Sequence, residues 1–186
     1  MTTSFGPSAI ATPANAVTIG RLVITPFLLI LILGTGDSWA AVGLWILLSV
    51  TDGLDGWLAR RHGTTRSGAF LDPLADKVLV LGAMFALVAE GRLWWFPVVI
   101  IAAREAWMSV HRMNVAQQGM SIPARRSAKL KTVVQEVAVG FALLPLTATD
   151  HVWIADSLLW ASVVLALVSG VQYLLDGRRI AAVSSA

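Results

Sequence analysis

From residue 157 to residue 175, between Asp156 and Asp176, the chain carries no charged side chain. A run of this kind approaches the roughly 20 apolar residues that cross a hydrocarbon core of about 30 Å. Five further apolar segments lie near 17–33, 39–50, 77–89, 93–103 and 133–145, and each reaches spanning length only by taking charged residues into one end. Charge at membrane depth is costly and usually functional, so those ends are informative. Composition agrees: 56% of the residues are hydrophobic and 13% charged, against about 25% charged in soluble domains. So few charges cannot clothe a soluble globule of 186 residues, which argues against a soluble enzyme, a disordered chain or a nucleic-acid-binding domain despite a net charge of +3. The expectation is an all-α polytopic membrane protein with six transmembrane helices in a single domain, 1–186, with an N-terminal segment 1–14 and a frayed tail at 181–186. There is no cysteine, hence no disulfide, thiolate metal site or cysteine nucleophile. The first twenty residues hold no Lys or Arg, so they lack the basic start of a secretory signal, and the first apolar run reads as a retained helix.

Polar turns near 34–38, 61–67, 90–92, 117–127 and 147–151 join the six segments. With the N-terminus in the cytoplasm, every lysine and arginine except Arg92 falls on the cytoplasmic side. That bias fixes an orientation with both termini cytoplasmic. Trp94, Trp95 and Trp153 sit at span ends, as interfacial aromatics do. His62, His111 and His151 are scattered and read as interfacial.

The acids are not scattered. Asp52, Asp55, Asp72 and Asp76 lie within 25 residues of one another, at the cytoplasmic ends of the second and third helices. On a helix of 3.6 residues per turn, Asp52, Asp55, Gly56, Ala59 and Arg60 share one face. Gly68, Asp72 and Asp76 share a face of the next helix, and the short loop between makes the two antiparallel neighbours. Four carboxylates at one place repel unless protonated or neutralised. Mg²⁺ or Mn²⁺ suits such a set together with phosphate oxygens, and two ions would clamp a phosphoryl group in transfer. The small residues leave room for a ligand, and Arg60 or Arg66 could bond a phosphate. Read singly, the same residues have plainer roles. Asp72 with Pro73 is a good helix start, Asp55 could pair with Arg60, and small residues also mark close helix packing.

Read as one string, residues 52–76 are DGLDGWLARRHGTTRSGAFLDPLAD. This resembles the signature of the CDP-alcohol phosphatidyltransferases, D-x-x-D-G-x-x-A-R followed by G-x-x-x-D-x-x-x-D, with every fixed position filled. Asn15, Ala16, Val17 and Thr18 with Arg21 are similar to the segment before that family's first span. Residues 68–80, 103–105 and 129–132 are similar to the phosphatidylglycerolphosphate synthase branch. The resemblance covers about 15–172 and is weakest in the last two helices. It implies a six-helix membrane bundle, usually a homodimer, in the cytoplasmic (inner) membrane with its site open to the cytoplasm. It also implies a reaction in which an alcohol attacks the lipid-side phosphorus of a CDP-linked lipid and CMP leaves. Asp52 and Asp72 would bridge two Mg²⁺ or Mn²⁺ ions, Asp55 would hold one and Asp76 the other, and Asp76 would be the general base. Asn15, Thr18, Gly56, Ala59, Arg60, Thr65 and Gly68 would line the pocket for CDP-diacylglycerol.

The acceptor is read from charges at the cytoplasmic ends of the fourth and fifth helices. Arg104 and Lys131 border apolar sequence, where an unpaired charge is costly. Together with Arg21 they would bind a phosphate-bearing acceptor, sn-glycerol 3-phosphate, although Arg104 could instead pair with Glu105 or Glu136. The alternatives are phosphatidylglycerol or an inositol phosphate as acceptor. A prenyltransferase would need its two motifs far apart. A divalent-cation transporter would favour acids near the bilayer midplane and broken helices.

Overall fold

The computed structural model describes the backbone of residues 13–35, 38–62, 68–117, 126–147 and 150–184, and the side chains of 15–35, 38–51, 71–115, 129–147 and 150–177. Six α-helices account for nearly all of it: α1 (Pro13–Thr35), α2 (Trp39–His62), α3 (Gly68–Ala89), α4 (Trp95–Gln117), α5 (Arg126–Leu143) and α6 (Val152–Ser184). Two of them, over Asn15–Thr35 and Val152–Gly177, are long and apolar enough by themselves to cross a membrane, and α2 adds a shorter apolar stretch, Trp39–Thr51. The others carry their charges at one end. Large apolar side chains such as Phe27, Ile30, Leu47, Val110 and Val164 point outward, which suits a lipid-facing surface and would be a liability in water.

The helix ends are set by local chemistry. Pro13 opens α1, where its missing N–H is no loss. Ser38 caps α2, its Oγ accepting from the amide of Ala41 at 3.1 Å. α3 closes on Gly91, whose φ of 68° a side chain would strain. There the Gly91 amide donates to Val88 O at 3.0 Å and the Arg92 amide to Leu87 O at 2.8 Å, the double bond of a Schellman turn.

The helices outrun the apolar segments, because polar residues can continue a helix once the apolar part has fixed its direction. α3 begins at Gly68, so Asp72 and Pro73 lie inside it rather than at its start. Pro73 gives up one helix bond near the N-terminus, where few are yet formed. α6 runs on to Ser184, through residues that the sequence marked as a frayed tail. Nothing after Gly177 breaks it, since Arg, Ile and Ala are tolerated or favoured in helices.

α1 packs against α3 and α2, and α5 packs against α6. α4 lies on α6, while α2 and α3 touch α5 more lightly. One core runs through all six, with Leu28, Ile32, Trp45, Leu48, Met84, Leu87, Ile101, Val139, Leu143 and Leu159 at its centre. Close approach of α1 and α3 uses Gly82, where an added Cβ would lie 3.2 Å from Leu29 Cδ1. Trp45 links α2 to α5, its indole N–H donating to Glu136 O at 3.2 Å. Trp94, Trp95 and Trp153 are exposed at the end of the bundle where α4 and α6 begin, as expected for interfacial aromatics. Trp94 and Phe96 pack against Trp160 there. His151 is exposed at that end. His111 stacks on Trp107 and meets the edge of Tyr173. His62 has no described side chain.

Candidate active site

Helices alternate in direction, so α1, α3 and α5 begin at the end where α2, α4 and α6 finish. That end gathers the polar residues. On α1, Asn15, Thr18, Arg21 and Thr25 are buried, spaced so that they form one stripe, and Arg21 is only 1% exposed. Thr18 reaches α3: its hydroxyl donates to Asp72 Oδ1 at 2.7 Å. This contact joins two positions, Thr18 and Asp72, that the sequence assigned to one site. It also fills one lone pair of the carboxylate and leaves its charge available. Asp76 stands one turn further along α3, on the same face, and both carboxylates are half-buried.

Asp76 opens onto a cavity of about 460 Å³. α3 contributes Pro73, Asp76 and Lys77 to its wall, α4 Arg104, Glu105, Met108, Ser109 and Arg112, and α5 Lys129, Lys131, Thr132 and Glu136. The cavity is large enough for a small phosphorylated alcohol, and its wall is rich in cations. Arg104 and Lys131, singled out from sequence, therefore share one chamber with Asp76. Arg21 is not among its lining residues.

Arg104 and Lys131 are paired within the protein. Glu105 Oε1 accepts from Arg104 NH1 at 2.8 Å and also from the Lys131 ammonium. Arg104 is further held by α6: its Nε donates to Ala166 O at 3.0 Å and its NH2 to Ser169 Oγ at 2.8 Å. The guanidinium lies alongside Gly170 of α6, where an added Cβ would make ordinary contact at 3.7 Å from Arg104 Nε. Of the two partners the sequence offered for Arg104, the structure uses Glu105. The triad removes the cost of unpaired charge at this depth and still carries a net positive charge.

Asp52, Asp55, Gly56, Ala59, Arg60 and Gly68 sit in α2 and at the start of α3, but their side chains lie outside the described residues, as does Thr65 altogether. Among the described residues no three acidic or histidine side chains converge as a metal site. Sequence reasoning missed Ser169 and the buried Gln135. A usable signal was present, since a polar residue beside a glycine in the charge-free part of α6 marks an interhelical contact.

A family model described as CDP-alcohol phosphatidyltransferase matches residues 11–168. A protein of Mycobacterium tuberculosis (strain CDC 1551 / Oshkosh) named "Probable phosphatidylglycerophosphate synthase" is 42% identical over 174 residues, 90% of this chain and 82% of that protein. The Escherichia coli (strain K12) CDP-diacylglycerol–glycerol-3-phosphate 3-phosphatidyltransferase is 36% identical over 171 residues, 87% of this chain and 92% of that one. The protein of the same name from Rickettsia typhi (strain Wilmington) is 30% identical over 165 residues, 86% of this chain and 93% of its own length.

Proposed function

The chain belongs to the CDP-alcohol phosphatidyltransferase family, membrane enzymes that need a divalent metal, and on that premise we propose that it transfers the phosphatidyl group of CDP-diacylglycerol to sn-glycerol 3-phosphate. The products are phosphatidylglycerophosphate and CMP. The names of relatives at 30–42% identity support the reaction. The single observation that carries the acceptor is the chamber in which Lys131 and Arg104 face Asp76. A phosphorylated alcohol fits it: the phosphate meets the cations while the hydroxyl reaches the carboxylate.

The donor chemistry of Asp72 and Asp76 fits a hard divalent cation: both are carboxylates, half-buried on one helix face, with Thr18 orienting Asp72. Asp52, Asp55, Asp72 and Asp76 would hold two ions, Mg²⁺ or Mn²⁺. Bound there, the ions would neutralise the donor's phosphate oxygens and polarise the phosphorus. The chain's own residues do the rest. Asn15, Thr18, Gly56, Ala59, Arg60, Thr65 and Gly68 hold the CDP part. Lys131, with Arg104 beside it, draws in the acceptor, while Arg21, buried on α1 and outside the chamber wall, does not reach it. Asp76 takes the proton of the attacking hydroxyl as the new P–O bond forms and the bond to CMP breaks. Such transfer depends on charge neutralisation and in-line placement more than on a covalent intermediate. The same reading makes the protein a homodimer in the bacterial cytoplasmic membrane, with site and termini facing the cytoplasm, and makes 1–186 one catalytic domain.

The test is CMP release by detergent-purified protein from CDP-diacylglycerol with Mg²⁺ or Mn²⁺, with Asp76→Asn as control. Metal-dependent release with glycerol 3-phosphate alone is expected. Release only with phosphatidylglycerol or an inositol phosphate would overturn the acceptor, and no release with any of them would overturn the reaction.

A further inference from the structure

The chamber proposed to receive an anion contains Glu105, a carboxylate that by charge alone would repel it. Its position explains the contradiction. Glu105 Oε1 is bonded by two cations at once, Arg104 and Lys131, and the three side chains are nearly buried, with exposures of 10% for Arg104, 12% for Glu105 and 7% for Lys131. Two buried cations side by side repel each other, and without the acid between them the flexible lysine would turn away. Arg104 has little freedom of its own. Its Nε, NH1 and NH2 are each committed, to Ala166 O, Glu105 and Ser169 Oγ. Lys131 differs: one of its three N–H bonds goes to Glu105, and it shares the chamber wall with Asp76.

We infer that Glu105 and Ser169 are positioning residues for the acceptor: α6 fixes Arg104 through Ser169, Arg104 fixes Glu105, and Glu105 aims the Lys131 ammonium at the acceptor's phosphate. Arg104 then acts as a strut rather than as the main phosphate ligand. The specificity for a phosphorylated alcohol thereby depends on α6, whose sequence carries no part of the aspartate signature. This inference rests on glycerol 3-phosphate being the acceptor.

The two accounts of Glu105 predict opposite signs. If it acts only as a negative charge near the anion, Glu105→Gln lowers the KM for glycerol 3-phosphate. If it positions Lys131, the same change raises that KM by about tenfold, the worth of a hydrogen bond between charged groups. Ser169→Ala alters no charge, and the loss of one anchor on Arg104 should raise the KM by about threefold. In both variants the KM for CDP-diacylglycerol should stay within about twofold of the parent, which a general loosening of the fold would not allow. In the double variant the two effects should combine to less than their product, because they act through one chain of contacts.

The measurement is steady-state CMP release by the full-length protein in detergent, varying each substrate in turn, with thermal unfolding as a check on each variant. Ser169→Ala carries the test should Glu105→Gln not fold. A lowered or unchanged KM for glycerol 3-phosphate, or equal rises in both KM values, overturns the inference. An unsubstituted enzyme that ignores glycerol 3-phosphate overturns instead the acceptor reading beneath it.

Discussion

At the end of the bundle where α1, α3 and α5 begin, the buried stripes of α1 and α5 are polar; at the other end they are apolar. On α1 the stripe passes from Asn15, Thr18, Arg21 and Thr25 to Leu28 and Ile32. On α5 it passes from Lys131 and Gln135 to Ala138, Val139, Ala142 and Leu143. α4 and α6 run the opposite way and are mixed: α4 passes from Val98 and Ile101 to Arg104 and Met108, and α6 from Leu159, Ser162 and Val163 to Ser169 and Tyr173. One set of helices thus has two kinds of core. The apolar half holds by close packing and can be altered without touching the chemistry. The polar half holds by specific bonds, such as Thr18 to Asp72 and Glu105 to its two cations, and its residues should tolerate changes of volume better than changes of charge.

Substitutions can break this contrast, beginning with the largest effect. Asp72→Asn keeps the shape and still accepts from Thr18. Turnover should nevertheless fall by roughly a thousandfold, the several kcal/mol that a metal-held phosphoryl site supplies, with little change in unfolding temperature. Activity near the parent level would remove Asp72 from the site. Met84 is fully buried in the apolar half, and Met84→Ala should cost about 2–5 kcal/mol of stability. Its kcat and both KM values, measured well below the unfolding transition, should match the parent; a selective KM change would break the division between the halves. Thr18→Val is nearly isosteric and removes one bond to Asp72. It should lower kcat/KM about tenfold, as loss of a partner to a metal-binding side chain does, with stability nearly intact. Gly91→Ala at a φ of 68° should be the mildest, a loss of about 1 kcal/mol seen in thermal unfolding alone.

How much of this was legible in the sequence differs between the halves. The apolar half was readable from the length and spacing of the apolar runs, which is why the six described helices each contain one of the segments that hydropathy marked. The polar half was readable only where residues form a linear pattern. Asp72 and Asp76 share a face because they are four apart, and Thr18 was included through resemblance. The bond from Arg104 to Glu105 joins neighbours in sequence, positions that do not normally face each other on a helix, so periodicity could not choose between Glu105 and Glu136, the two partners the sequence offered. Ser169 meets Arg104 across 65 positions, a distance that only the packing of α4 on α6 closes. The lengths of α3 and α6 were underestimated for a related reason, since hydropathy reports where a helix is greasy and not where its hydrogen bonds stop.

The alternation of helix direction has a consequence for how such a chain is made. α1 and α2, α3 and α4, and α5 and α6 are each joined at the apolar end, so each pair is a hairpin, and in the proposed orientation its tip enters the bilayer first. Among the lysines and arginines, only Arg92 lies at such a tip. In the proposed orientation a nascent hairpin carries almost no positive charge through the hydrocarbon, where each would cost a few kcal/mol, while the cations and the proposed metal-binding acids remain on the side from which the chain was threaded. In that orientation the proposed site is completed only when the three hairpins meet by their trailing ends.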